Sequence, residues 1–274
     1  NHGDEYEGPV ALFDLAASLH PAEVKGRVII IPAMNYPAFQ SATRTSPVDK
    51  GNMNRVFPGR PDGSVTEKIA DYFQRTLLPL ADYVLDIHSG GKTLEFVPFA
   101  AAHVLENKEQ EARCVAAMEA FGAPYSVMLL ELDSVGMYDT AAEEMGKVFL
   151  STELGGGGSS TATTTSIAKR GVRNLLTHAG IRAGSIEGPD SIKLDMPDDR
   201  CFVTSQGSGL IEFCVELGER VAAGQTIARV YGTEHSGQPP RTYEAKIDGV
   251  VAGRHFPGLI KPGDFLAMVA VELG

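Results

Sequence analysis

The stretch Tyr83-Val84-Leu85-Asp86-Ile87-His88-Ser89-Gly90-Gly91 decides the fold class of this chain. Before the histidine it is apolar apart from Asp86, as expected for a strand buried on both faces of a sheet. The run ends at His88 and a Gly-Gly turn, and open α/β sheets place their chemistry at the carboxyl ends of their strands. The stretch therefore predicts a buried strand that delivers His88 to a functional site.

Strand and helix patterns alternate around this stretch over residues 1–183. Such alternation is typical of an α/β domain whose mixed, mostly parallel sheet carries helices on both faces. The apolar patterns predict strands over 27–32, 83–88, 125–130 and 147–153, and helices over 7–18, 64–78, 107–121 and 166–178.

Helical periodicity stops near Arg182, and short β-rich runs with Gly and Pro continue to the C-terminus. A near-repeat relates 209–224 to 249–264, and each half is typical of a strand, a turn and a strand. The pattern resembles the half-hammerhead units of biotinyl and lipoyl carrier domains, and it predicts a small all-β domain of hammerhead or barrel-sandwich type over 184–274. The connection 231–243 contains no lysine, which argues against a swinging-arm role.

Composition excludes several classes of protein. The chain has 274 residues and 43% hydrophobic residues, enough for one large and one small domain, and no run of 18 apolar residues. A net charge of -11 argues against a nucleic-acid or anionic membrane partner. Three scattered cysteines, Cys114, Cys201 and Cys214, suit a reducing compartment. We expect a cytoplasmic protein with a small-molecule substrate, and a homo-oligomer stays open.

The first five residues, Asn1-His2-Gly3-Asp4-Glu5, contain an H-x-x-E pair just before the predicted helix over 7–18. A turn of this kind normally follows a strand, so we expect an N-terminal segment with at least one strand to precede Asn1. Two imidazoles and one carboxylate, from His2, Glu5 and His88, match a catalytic zinc site with a fourth position for water. We predict one zinc per chain, although an isolated H-x-x-E pair is more often a surface feature.

Two further motifs carry chemistry. Glu153 ends an apolar strand and meets the glycines of 155–158, which suits a general base at the sheet edge. The alternative is a glutamate paired with an arginine in a Gly-rich turn. Asn54 and Arg55 lie in a long loop-like segment and could bind a carboxylate, or Arg55 could be a surface residue or part of an ion pair.

The motifs together resemble the succinylglutamate desuccinylase/aspartoacylase family of zinc carboxypeptidase-like hydrolases, and the resemblance covers nearly the whole chain. The matching stretches are Asn1-His2-Gly3-Asp4-Glu5, Asn54-Arg55-Val56-Phe57-Pro58-Gly59, Asp86-Ile87-His88 and Thr152-Glu153-Leu154-Gly155.

The resemblance implies roles for each motif. It makes His2, Glu5 and His88 the zinc ligands and Glu153 the base. The Asn54-Arg55 pair then holds the α-carboxylate of the substrate. Arg44 is the candidate that polarises the scissile carbonyl, although it lies farther from Asn54 than the family pattern suggests.

The implied reaction is hydrolysis of the amide of an N-acyl amino acid. Asp86 is expected to orient one of the zinc ligands by a hydrogen bond, without binding the metal itself. The alternative is that Asp86 caps the turn at the end of its strand.

Family members that act on acidic substrates carry an arginine about ten residues before the base, where this chain has Glu143, with Asp139 nearby. A negative pocket favours a leaving amino acid with a cationic side chain. The alternative is a solvated helix face over 139–144. The segment 34–60 also resembles the N-α-acetyl-2,4-diaminobutyrate deacetylases of ectoine breakdown. Both observations predict a deacetylase for a small basic N-acetyl amino acid.

Other functions remain open from the sequence. The enzyme alternatives are succinylglutamate desuccinylase, aspartoacylase and carboxypeptidase. The non-enzyme alternative is a binding or adapter protein that uses the β-rich domain as its partner surface.

Overall fold

A computed structural model describes residues 1–129 and 134–274. The helices are α1 Glu7–Ser18, α2 Tyr36–Ser41, α3 Val65–Tyr72, α4 Lys108–Phe121, α5 Tyr138–Glu144 and α6 Ala162–His178. The strands are β1 Tyr83–His88, β2 Leu94–Phe96, β3 Phe99–His103, β4 Tyr125–Leu129, β5 Val148–Glu153, β6 Ile192–Asp195, β7 Phe202–Thr204, β8 Gly209–Phe213, β9 Arg220–Val221, β10 Thr226–Tyr231, β11 Arg241–Glu244, β12 Gly249–His255, β13 Leu259–Ile260 and β14 Phe265–Glu272. No helix among these is long and apolar enough to cross a membrane.

The main sheet has the strand order β1-β5-β3-β4-β6-β14-β12-β2, with β7 and β9 paired at its side. The pairs β1–β5, β3–β4 and β4–β6 are parallel, and β3–β5 is antiparallel. The predicted mixed sheet is therefore confirmed, and its part β1-β5-β3-β4-β6 is mostly parallel. Its register aligns His88 with Glu153 on neighbouring strands, so both side chains leave the sheet at the same edge.

A second sheet of four antiparallel strands, in the order β11-β10-β8-β13, is built from C-terminal residues alone. Other C-terminal strands extend the main sheet, because β6 pairs with β4, and β12 pairs with β2. The β-rich C-terminal part that the sequence predicts is confirmed.

Helices cover both faces of the main sheet, as predicted. One core joins α1, α4 and α6 to the sheet and includes Leu15, Phe121 and Leu175. The core on the opposite face includes Phe73 and Phe149, and α5 packs there through Tyr138. Apolar side chains on alternate residues of a strand point to opposite faces, so both cores share the same strands.

Local capping explains where the helices begin. Ser64 and Glu67 form the predicted reciprocal box at the start of α3. The sequence placed the start of α6 at residue 166, and the structure starts it at Ala162. Thr161 and Thr164 form a second capping box there. A polar stretch that the sequence pattern assigns to a loop is therefore the first turn of the helix.

One predicted strand does not form. Residues 27–32 belong to no strand and make no backbone hydrogen bond to another strand among the described residues. A β-branched apolar run predicts extended backbone, and only a partner with free hydrogen-bonding groups makes it part of a sheet. The predicted strand over 125–130 is present as β4, and its last residue, 130, lies outside the described residues.

Candidate active site

A tight turn before α1 carries the first two predicted ligands, His2 and Glu5. Gly3 permits this turn, because a Cβ there would lie 2.0 Å from the backbone carbon of Ala38. The Gly3 amide also donates to the carbonyl of Thr43 over 3.0 Å. The backbone of 38–43 thus fixes the turn against the end of β1, where His88 lies.

The three predicted ligands converge on one point. Their donor atoms all lie within 4.8 Å of one another, and all three residues are buried. His2 Nδ1 is 2.7 Å from Glu5 Oε1, and His88 Nδ1 is 3.0 Å from Glu5 Oε2. The two Nδ1 atoms and the carboxylate therefore surround a common centre.

The charges within this cluster depend on one another. Burial raises the pKa of Glu5, but His2 and His88 outweigh it and hold that pKa well below its usual range. Burial lowers the pKa of His88, yet Asp86 and Glu5 raise it well above the usual value. For His2, burial prevails over Glu5, and its pKa is lowered. His2 is therefore neutral beside an ionised Glu5, and a divalent cation bound here would displace the proton that Asp86 and Glu5 stabilise on His88.

The outer nitrogens of both histidines face acceptors. His88 Nε2 lies 2.8 Å from Asp86 Oδ2, and the Asn1 side chain also donates to that oxygen. His2 Nε2 lies 3.2 Å from Asn52 Oδ1. An acceptor behind each imidazole fixes its tautomer and leaves Nδ1 free to bind a metal.

Sequence reasoning missed Asn1 and Asn52. Asn52 lies two residues before the Asn54-Arg55 pair, and its side-chain oxygen also accepts the Asn54 amide over 3.1 Å. An Asn at the cap of a short turn was the available signal. Only the fold shows that the same oxygen faces His2.

Glu153 ends β5 directly beside His88 in the sheet register. Burial and the charge of Glu5 raise the pKa of Glu153 to about 8, against the opposing effects of His88 and Arg44. Its Oε2 is buried without a hydrogen-bond partner among the described residues. A buried carboxylate oxygen of this kind is costly unless a ligand, an ion or water completes it.

The glycines after Glu153 make room for this arrangement. Gly155 to Gly158 all have positive φ. A Cβ at Gly156 would lie 2.0 Å from the carbonyl oxygen of Leu94. The turn can approach β2 this closely only because it has no side chains.

Arg44 reaches the site from the segment after α2. Its Nη1 lies 3.6 Å from Glu5 Oε1, and 47% of its side chain is exposed. The structure therefore brings Arg44, the predicted carbonyl-polarising cation, to the ligand cluster, with part of its side chain exposed to solvent.

Asn52 connects the predicted carboxylate-binding pair, Asn54 and Arg55, to the ligand cluster, because its side-chain oxygen contacts both His2 and the Asn54 amide. Asn54 is buried, and its Oδ1 accepts the Tyr138 amide over 2.8 Å. Arg55 is exposed, and its Nη1 donates to the Asn54 carbonyl. The α5 helix start thus holds Asn54 in place, while the guanidinium of Arg55 faces outward.

Glu143 and Asp139, the two carboxylates predicted to recognise the substrate side chain, both contact other protein groups among the described residues. Glu143 Oε1 lies 3.0 Å from His103 Nδ1. Phe99 pairs with Glu153 across the sheet, and His103 lies four residues farther along β3. At the rise of a β-strand, His103 is therefore about 13 Å from Phe99. Asp139 is buried, and its Oδ1 accepts the Thr140 amide. Substrate contacts by Glu143 and Asp139 stay predictions.

The donor set fits a zinc ion. Two imidazole nitrogens and a carboxylate oxygen are the ligand types of catalytic zinc sites. The unpartnered oxygen of Glu153 lies in the same buried charge cluster. His2, Glu5 and His88 would hold the metal.

Known proteins of similar sequence and structure identify the family of this chain. The curated N-α-acetyl-L-2,4-diaminobutyric acid deacetylase of Halomonas elongata is 54% identical over 272 residues, which is 98% of this chain and 80% of that relative. The product-bound ectoine utilization protein EutE (DoeB) from Ruegeria pomeroyi is 63% identical, with a TM-score of 0.97, over 98% of this chain and 82% of that one.

A structure described as a succinylglutamate desuccinylase from Silicibacter sp. TM1040 is 59% identical, with a TM-score of 0.96, over 99% of this chain and 83% of that one. Residues 1–179 match the succinylglutamate desuccinylase/aspartoacylase catalytic domain. The chain therefore belongs to the succinylglutamate desuccinylase/aspartoacylase family.

Proposed function

We propose that this chain is a zinc-dependent deacetylase that hydrolyses N-α-acetyl-L-2,4-diaminobutyrate or a similar small basic N-acetyl amino acid. The convergence of His2, Glu5 and His88 beside Glu153 carries the proposal. Support for the substrate comes from the deacetylase of Halomonas elongata, which is 54% identical.

Each residue then has a chemical task. Zinc, when bound, supplies a Lewis acid and lowers the pKa of the attacking water. Glu153 accepts the proton of that water and returns it to the leaving nitrogen. Arg44 donates to the oxyanion that develops on the acyl oxygen. Asn54 and Arg55 bind the α-carboxylate of the substrate, the Arg55 fork from the exposed side.

The positive side chain of the leaving amino acid sets the substrate class. We assign its recognition to the carboxylates of α5, Asp139 and Glu143, because α5 carries three acidic residues and no lysine or arginine. For Glu143 this requires that its carboxylate leave its contact with His103 and bind the cationic side chain of the substrate instead. We also propose one zinc per chain and a cytoplasmic location.

A desuccinylase is the second candidate, because a solved structure described in that way is 59% identical. Its substrate would place a negative side chain near α5, where like charges repel. A binding or adapter protein is the third, and for it the metal site would be structural.

The test is metal content and amide hydrolysis on one preparation. We expect about one zinc per chain and turnover of N-α-acetyl-2,4-diaminobutyrate in preference to N-acetylaspartate and N-succinylglutamate. Glu153→Gln should keep zinc and lose at least about 10³-fold in kcat. Glu119→Gln, which changes an exposed glutamate paired with Lys193, is the matched control.

Three outcomes separate the candidates. Turnover of an acidic substrate would retain the mechanism and refute the assignment of α5. Zinc without turnover of any substrate would favour the adapter. Full activity of Glu153→Gln would remove Glu153 from the reaction.

A further inference from the structure

A polar groove lies between α6 and the segment 182–187, which follows that helix. Its volume is about 500 Å³, within the usual range of small-molecule sites. The residues of α6 that line it recur at intervals of three and four from Ala162 to Thr177, so they share one face of the helix. We call this space the α6 groove.

Hydrogen bonds hold the segment 182–187 against α6 at both of its ends. The Asn174 side chain donates to the Glu187 carbonyl over 2.8 Å and accepts the Glu187 amide over 3.0 Å. The Arg182 amide donates to the Leu176 carbonyl over 3.1 Å. Both walls of the groove are therefore fixed by the fold.

The α6 groove is positively charged, although the net charge of the whole chain is -11. Its cationic lining residues are Lys169, Arg170, Arg173 and Arg182. Asp14 accepts from Lys169 Nζ over 2.9 Å and from Arg173 Nη2 over 2.8 Å. Glu187 is the one carboxylate among the described residues that line the groove. Four positive charges against these two carboxylates leave two positive charges unbalanced, and a bound anion would relieve their repulsion along the helix.

Two guanidinium groups of the groove have donors without a partner. Arg170 Nη2 donates to the Gly122 carbonyl over 3.0 Å, but Arg170 Nε is buried with no hydrogen-bond partner among the described residues. The half-buried Arg182 side chain makes no hydrogen bond or ion pair within the described part of the chain. Such donors are costly to bury unless a ligand, an ion or water completes them. An anion with several oxygens can accept from both guanidinium groups at once.

The remaining lining residues indicate what kind of anion fits. Thr165, Ser166 and Thr177 contribute hydroxyl groups. None of the described lining residues is aromatic, and Ala162 is the only apolar one, so a nucleobase would find no surface to stack on. The planar donor fork of arginine matches the geometry of a phosphate group. The lining therefore favours a phosphate ester with a hydroxylated carbon skeleton over a nucleotide.

We propose that the α6 groove binds a small phosphate ester with a hydroxylated skeleton, and that its phosphate group contacts Arg170 and Arg182. The ligand would join α6 to the segment that leads to β6, and hydroxyl groups of both walls would bind its skeleton. The proposal is independent of the reaction, because it concerns binding on residues that take no part in the proposed chemistry.

Isothermal titration calorimetry on the zinc-loaded protein tests the proposal, with inorganic phosphate, glucose 6-phosphate and glucose as probes at constant ionic strength. We expect saturable binding of inorganic phosphate, tighter binding of glucose 6-phosphate, and no binding of glucose. Arg182→Gln should weaken the binding of both phosphates by at least about tenfold, because it removes a charge-assisted donor. Since Arg182 has no side-chain partner among the described residues, this variant should keep the melting temperature of the unliganded protein.

Arg200→Gln is the matched control, because it removes one positive charge from an exposed arginine that pairs with Asp198. It should bind both phosphates as the wild type does. Arg170→Gln should weaken binding as Arg182→Gln does, because the two guanidinium groups contact the same phosphate.

Three results would overturn the proposal. The first is no saturable binding of glucose 6-phosphate by the wild type. The second is equal affinity in the wild type and in Arg182→Gln, which would place the phosphate elsewhere; loss of that binding when zinc is removed would assign it to the metal. The third is citrate binding as tight as that of glucose 6-phosphate and equally dependent on Arg182, which would make the groove a carboxylate site.

Discussion

Replacing Asn52 by alanine should weaken zinc binding without touching a ligand. Asn52 Oδ1 faces two donors, His2 Nε2 at 3.2 Å and the Asn54 amide at 3.1 Å. The His2 side chain is 2% exposed, so water cannot readily replace the lost acceptor. Leaving a buried donor unpaired costs about 1–3 kcal/mol. Loss of the acceptor behind a metal-binding histidine typically lowers metal affinity by about 10–100-fold, and we expect a loss in that range.

Competition with a chelating indicator measures this loss directly, and thermal unfolding with and without zinc checks the folded state. Asn52→Asp keeps an acceptor for both donors, so its zinc affinity should equal or exceed that of the wild type. Asn107→Ala is the matched control, because Asn107 caps α4 away from the site. It should lose about 1 kcal/mol of stability and keep its zinc affinity.

Zinc binding by Asn52→Ala within about twofold of the wild type would refute the reasoning, because the predicted loss is at least about tenfold. Equal losses in Asn52→Ala and Asn107→Ala would point to general destabilisation instead. A loss in Asn52→Asp as large as in Asn52→Ala would show that the acceptor behind His2 has no effect on the metal.

Three further substitutions test other parts of the site. Arg44→Ala should lower kcat by about 10²-fold with a smaller change in KM, because Arg44 acts on the developing oxyanion. Steady-state kinetics checks this, with Arg200→Ala, an exposed arginine of the C-terminal part that pairs with Asp198, as the control. Asp86→Ala should weaken zinc binding by about 10–100-fold, measured by the same chelator competition, because His88 Nε2 loses its acceptor. Asp49→Ala should destabilise the protein by about 1–3 kcal/mol near neutral pH and by less in acid, as measured by urea unfolding from pH 7 to pH 3.

The sign of the Asp49 prediction follows from its hydrogen bonds. Burial raises the pKa of Asp49, but bonds from Thr66 and Gly51 outweigh it and hold that pKa below its usual value. A lowered folded pKa contributes stability above the unfolded pKa, and that stability is lost as the pH falls towards the folded pKa. A pH-independent difference between wild type and variant would contradict this.

Periodicity and end signals predicted the elements that build the site. The strand β1 and the helix α1 have the predicted bounds, because a continuous apolar run and a Gly-Pro start are strong local signals. The ligands were predictable since each lies at the end of such an element. The register of β1 against β5, which aligns His88 with Glu153, depends on long-range pairing and was not predicted; the family resemblance implied only that both residues belong to one site.

Features that depend on partners distant in sequence could not be predicted. Asn52 faces His2 across 50 residues, and Glu143 faces His103 across 40. Neither pair has a local pattern. The strand predicted over 27–32 was wrong for a related reason: its composition favours a sheet, but pairing requires a neighbour that the described residues do not provide.

Both parts of the chain contribute strands to the main sheet, and this limits how the enzyme can be divided into fragments. One core contains Phe96, Phe99 and Val127 from the first part of the chain together with Leu266 and Val269 from the last. A fragment that ends near residue 183 would expose this apolar surface and is expected to aggregate. The two parts are therefore not interchangeable modules. A chimera between family members should keep its function only when the residues on both sides of this core are transferred together.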